Sequence, residues 1–104
     1  LFVTFFANIN KIEARRYPME VYIITFLHGN YAVAAFNRLQ GFGVKNIHLI
    51  QTPFSIKNEC DLCIKTNDRK TLDIILNECR GRYPVSNVYT QINKNGSFVY
   101  KLLP

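Results

Sequence analysis

Hydrophobic positions along this chain repeat at two periods, and the switches between them divide it into elements. Residues 21–26, VYIITF, are a β-branched and aromatic run that predicts a buried strand. Leu27-His28-Gly29-Asn30 follows, with Asn30 the expected N-cap. Ala32, Ala35, Phe36 and Leu39 then recur at i, i+3, i+4 and i+7, one face of a helix. Gly41 closes that helix and Gly43 allows a further turn. Residues 44–51, VKNIHLIQ, predict a second strand stopped by Pro53, and residues 61–66, DLCIKT, a third. Thr66 or Asn67 is the expected cap of a second helix, whose stripe is Leu72, Ile75, Leu76 and Cys79. Gly81 ends it and Pro84 blocks its continuation. Two alternating runs then flank Asn95-Gly96, a hairpin signature.

The resulting order, β-α-β-β-α-β-β, predicts an α+β fold. Its first six elements match a ferredoxin-like split β-α-β sandwich, βαββαβ, and the last strand adds an edge that completes a β-hairpin. Right-handed crossovers make the first two strands parallel, with the third between them and antiparallel to both.

Length and composition fit one domain with a modest core: 104 residues, 48% hydrophobic. No apolar run reaches the roughly 18 to 20 residues of a membrane span. The formal charge of +6 comes from scattered lysines and arginines, not a dense basic stripe with interleaved aromatics. Specific nucleic-acid binding is therefore not expected, and a weakly basic surface suited to an anionic ligand is. Three cysteines, an odd number, and no leader pattern point to a cytoplasmic setting without a disulfide framework.

The only Met is Met19, and Arg15-Arg16-Tyr17-Pro18 precede it. Two AGG arginine codons followed by a short spacer would read as a ribosome-binding signal. Residues 1–18 are on that basis expected to be a non-native upstream extension, with 19–104 a single ferredoxin-like domain. The alternative is a native N-terminal strand or helix.

The chemistry concentrates in residues 52–63, TPFSIKNECDLC. Strand and helix directions put Cys60 at the same end of the sheet as the His28-Gly29-Asn30 turn. That end also holds the first free N–H groups of the first helix, which favour anions and lower a thiol's pKa. Lys57, Arg80 and a protonated His28 would act in the same sense; Glu59 and Asp61 would oppose them. Cys63 is two places into a strand and, if Leu62 and Ile64 face the helices, points to the other side of the sheet. Cys79 lies on an apolar stripe and reads as core. One C-x-x-C beside a lone Cys and two lone histidines falls short of the paired clips of a structural zinc site, so no metal is assigned. A thioredoxin-like C-x-x-C opens a helix, whereas this one leads into a strand. No cofactor motif is present, neither a phosphate-binding glycine loop nor a hydrolase triad.

Residues 21–66 resemble a small bacterial domain family described as selenium/sulfur carrier-like. The resemblance rests on Thr25-Phe26, Ala34-Ala35, Leu39, Gly43, Thr52-Pro53, Ser55 and Cys60. The chain departs from the family pattern at Phe54, where a basic residue is usual, at Asp61, where Gly is usual, and at Asn37, where an acid is usual. The resemblance implies that Cys60 carries sulfur or selenium as a persulfide-type adduct for a partner enzyme. His28, Gly29, Asn30 and Ser55 would then line the adduct. Such a protein is a carrier rather than a stand-alone enzyme. The other reading is a non-catalytic ligand-binding or assembly module in which Cys60 is incidental. The open edge of residues 97–102 offers a homodimer contact.

Overall fold

A computed structural model of the chain describes residues 20–56 and 60–103. The expected extension at residues 1–18, and Lys57 and Glu59, lie outside the described residues. The elements are β1 (Val21–Phe26), α1 (Gly29–Gly41), β2 (Ile47–Gln51), β3 (Leu62–Thr66), α2 (Arg69–Cys79), β4 (Val85–Lys94) and β5 (Ser97–Leu102). The five strands form one antiparallel sheet in the order β2-β3-β1-β4-β5. β3 runs antiparallel to both β1 and β2, so β1 and β2 are parallel with β3 between them.

Register assigns the two faces. Tyr22 stands opposite Thr66, Ile24 opposite Ile64, and Ile64 opposite Leu49. This is the helix side: the Arg69 guanidinium at the start of α2 lies 5.9 Å from the centre of the Tyr22 ring. Ile23, Thr25, Cys63 and Ile50 take the other face. Central β1 is buried on both faces, which accounts for its unbroken apolar run. Ala32, Ala35 and Leu39 of α1 and Leu72, Ile75 and Cys79 of α2 close the core, so the helical stripes are those the periodicity predicts. Phe36 and Leu76 sit half-buried at its margin.

Element starts differ from expectation in three places. α1 begins at Gly29, and its N-cap is His28 rather than Asn30. The chain leaves β1 so abruptly that extended His28 (φ −140°, ψ 153°) already accepts the Tyr31 N–H at 3.1 Å. α2 is capped by Asp68, not Thr66 or Asn67, because β3 runs on through Thr66. Asp68 Oδ2 accepts the Thr71 hydroxyl at 2.8 Å instead of bonding a helix N–H. β2 starts at Ile47 rather than Val44. Val44 N–H is spent on Leu39 O at 3.0 Å, closing α1 through left-handed Gly43 (φ 78°), and Asn46 is left-handed too (φ 65°). At the hairpin, Asn95 (φ 54°) and Gly96 (φ 84°) are both left-handed, the type I′ turn that Asn-Gly favours.

Candidate functional site

The β1–β3 ladder ends at Ile24 opposite Ile64. Continuing the register would bring Phe26 opposite Leu62, but those two are not paired. The Cys60 thiol fills the gap: its Sγ accepts the Phe26 N–H at 3.2 Å and donates to Leu62 O at 2.7 Å. A side chain thus completes a rung that the backbone leaves open, and two main-chain groups at the sheet's end are satisfied through sulfur. β1 also bulges at Thr25 and Phe26 where it meets β4. There the Thr25 hydroxyl both donates to Asn87 O and accepts the Asn87 N–H, each at 3.2 Å.

The loop before Cys60 is held at two points. Ile56 N–H donates to Pro53 O at 3.0 Å and the Ile56 side chain is buried, while Thr52 N–H donates to Asp61 O at 2.9 Å. Cys60 is only 9% exposed, so its thiol is buried rather than presented at the surface. Ser55 lies exposed on the turn, and Phe54 beside it is almost wholly exposed.

At the start of α1 the geometry differs from the simplest sequence picture. α1 has no acid in its own first turn and no side-chain cap. Asp61 brings its carboxylate there from the entry to β3: a Cβ at Gly29 would collide with Asp61 Oδ1. A carboxylate at a helix N-terminus answers the partial positive charge of the free N–H groups. The sulfur lies at the last residue of β1, and the acid beside it takes the helix end. His28 stacks on Tyr31 with ring centres 5.8 Å apart, and both His28 and Asn30 are exposed at this same end. Arg82 Nη1 reaches back to Glu78 O at 3.4 Å, and Glu78 pairs with Arg38 at 3.2 Å.

The other two thiols lie in different surroundings. Cys63 is fully buried on the helix-free face, opposite Ile50. Burial pushes its pKa up to about 11; the nearby Thr52 hydroxyl counters this in part, and the neighbouring Cys60 adds to the rise. Cys63 is therefore on the expected face, yet close enough to Cys60 to feel it. Thr52 Oγ1 is itself buried, and among the described residues the Cys63 thiol is the polar group beside it, short of a well-formed hydrogen bond. Cys79 is buried in the α2 stripe, and burial, then Glu78, likewise raise it to about 11. Among the described residues, no group of three or more His, Cys, Asp or Glu is arranged to hold a metal ion. No described helix is long and apolar enough to cross a membrane.

Residues 21–90 match the family described as "Putative Se/S carrier protein-like", a stretch that runs from the start of β1 into β4 and contains the whole Cys60 site. The chain belongs to that family. No curated protein and no solved structure matches it. What sequence reasoning missed in this family member's site are the main-chain partners of the thiol, Phe26 N–H and Leu62 O, and the docking of Asp61 on Gly29. The signal for the second was present as an acid directly after Cys60. The first depends on where a ladder stops, which no local pattern records.

Proposed function

We propose that this protein carries a sulfur or selenium atom on Cys60, received from a delivering enzyme and passed to an acceptor. The observation that carries this reading is the contrast among the three thiols. With pKa values of about 11, Cys63 and Cys79 would be thiolate in roughly one molecule in ten thousand at neutral pH. The thiolate is the nucleophile. Cys60 alone sits at a strand end, with the Phe26 N–H aimed at its sulfur at 3.2 Å and its own S–H directed at Leu62 O.

In the loading step the Cys60 thiolate attacks the outer sulfur of the donor's persulfide. A new S–S bond forms, the donor's S–S bond breaks, and the donor leaves as a thiolate. Loading removes the S–H that Leu62 O accepts, so the rung between β1 and β3 opens as the cargo arrives. Cys60 is also nearly buried, so a local opening must precede attack on a donor. His28, Asn30 and Ser55, polar and exposed around this end, are the side chains available to the terminal atom. Gly29 is committed to Asp61. A reducing intracellular compartment suits a free carrier thiol.

The element order and the strand order β2-β3-β1-β4 support reading the framework as a ferredoxin-like split β-α-β sandwich with β5 added, a fold that hosts many functions and does not choose among them. The position of Asp61 favours a second reading, a binding or assembly module in which Cys60 only completes the sheet.

Intact mass decides between them. Protein incubated with a cysteine desulfurase and cysteine should gain one sulfur that reductant removes, and Cys60→Ser should not. Equal uptake by Cys60→Ser overturns the carrier reading.

A further inference from the structure

We infer that β5 is a dimerisation edge, paired antiparallel with β5 of a second copy about a two-fold axis through Tyr100. β5 is the outermost strand on its side of the sheet among the described residues. Four of the eight exposed large hydrophobic residues there belong to its hairpin: Ile92, Phe98, Val99 and Leu102. The opposite edge, β2, is shorter, begins after left-handed Asn46, and exposes His48 and Gln51. The apolar burden therefore falls on β5, and an unpaired edge of this kind is a template for another strand.

The phase of the hairpin shows which backbone groups are free. Lys94 and Ser97 flank the two-residue turn and stand opposite one another. In such hairpins the flanking pair is hydrogen-bonded, and bonded and non-bonded pairs then alternate. Ser97, Val99 and Lys101 thus direct N–H and C=O at β4. Leu103 N–H continues the phase, donating to Val88 O at 2.8 Å. Phe98, Tyr100 and Leu102 direct theirs outward. Their side chains share one face, opposite Asn93, Gln91 and Tyr89, on the helix-free side of the sheet. Phe98 is 55% exposed and Leu102 61%.

This pattern is complementary to itself. A two-fold axis normal to the sheet at Tyr100 sets Phe98 against Leu102 of the second copy, Leu102 against Phe98 of the second copy, and Tyr100 against Tyr100. All three outward-facing residues then exchange backbone hydrogen bonds with their counterparts, and two Phe–Leu pairs cover each other. Centring the axis on Val99 would leave Leu102 opposite Gly96 of the second copy, with no side chain to meet. Charge agrees with the chosen register. Lys101 falls opposite Val99 of the second copy, so no like charges meet despite the formal +6 of each chain. The product is one continuous sheet with all helices on the same side, and its interface is isologous.

Sedimentation equilibrium of the full chain tests the register. The wild type should run at twice the chain mass. Phe98→Lys should run as a monomer with unchanged far-ultraviolet circular dichroism. Adding Leu102→Glu to Phe98→Lys should restore the dimer, because the axis at Tyr100 brings the two introduced charges together across the interface. A wild type that is monomeric up to millimolar concentration overturns the proposal. A folded double variant that stays monomeric overturns the register.

Discussion

Phe26 and Leu62 stand where the next rung of the β1–β3 ladder belongs, and they meet only through the sulfur of Cys60, at 3.2 Å from Phe26 N and 2.7 Å from Leu62 O. A buried polar group left unmet costs about 1–3 kcal/mol, more than a made bond contributes. Cys60→Ala strands both the N–H and the C=O and should lose about 1–3 kcal/mol in urea denaturation. Cys60→Ser keeps a donor and an acceptor at the same place and should lose less. An alanine variant as stable as wild type would mean the thiol does not bridge the rung.

Asp61 and Gly29 give a prediction about charge. Asp61→Asn removes the carboxylate from the N-terminus of α1 and should cost about 0.3–1 kcal/mol, less at high salt. The same change removes a negative charge next to Cys60 in the chain, so iodoacetamide should modify Cys60 faster at neutral pH. Gly29→Ala forces the carboxylate aside and should reproduce the faster labelling. Its stability should change by less than about 1 kcal/mol, since alanine's helix propensity offsets the displaced acid. Labelling rates unaltered in both variants would place the acid's influence elsewhere.

Burial separates the thiols in order of reaction. Peptide mapping after brief alkylation near pH 8 should find the label on Cys60 first. Cys63 and Cys79, fully buried and raised to about 11, should label only at the rate of global opening. Added urea should speed those two together.

The same two thiols make stability depend on alkaline pH. Their folded pKa of about 11 exceeds the ordinary 9.0, so the folded chain holds protons that the unfolded chain gives up. Their contribution is complete below pH 9 and is lost as pH rises toward about 11. The urea midpoint should therefore fall across that window. Cys79→Ala should be less stable at pH 7 and should show a shallower fall. Burial also raises the Tyr22 and Tyr100 hydroxyls, so tyrosine ionisation extends the loss in the same direction above pH 10.

The hairpin turn is a local test. Gly96 has φ 84° and nothing lies within 4 Å of an added Cβ, so Gly96→Ala is opposed by backbone strain alone. It should cost about 1–2 kcal/mol, read as a lower melting temperature.

Each element of this fold was legible in the sequence because its cause is local. The stripe Leu72, Ile75 and Cys79 marks a buried helix face at 3.6-residue spacing, and Asn95-Gly96 names its own turn. Strand boundaries blurred where a side chain or carbonyl from another element intervened, as at Val44, whose N–H closes α1 instead of starting β2. The family was legible too, since Thr25-Phe26, Thr52-Pro53 and Cys60 are carried in order along the chain. Only the tertiary structure decided what surrounds Cys60. Where the β1–β3 ladder stops is a matter of register between strands some forty residues apart, and that stop is what gives the sulfur two main-chain partners. Asp61 reaches Gly29 because the end of β1 and the entry to β3 meet at one end of the sheet. Periodicity fixes which face a residue takes; which distant group it meets there depends on how the strands align.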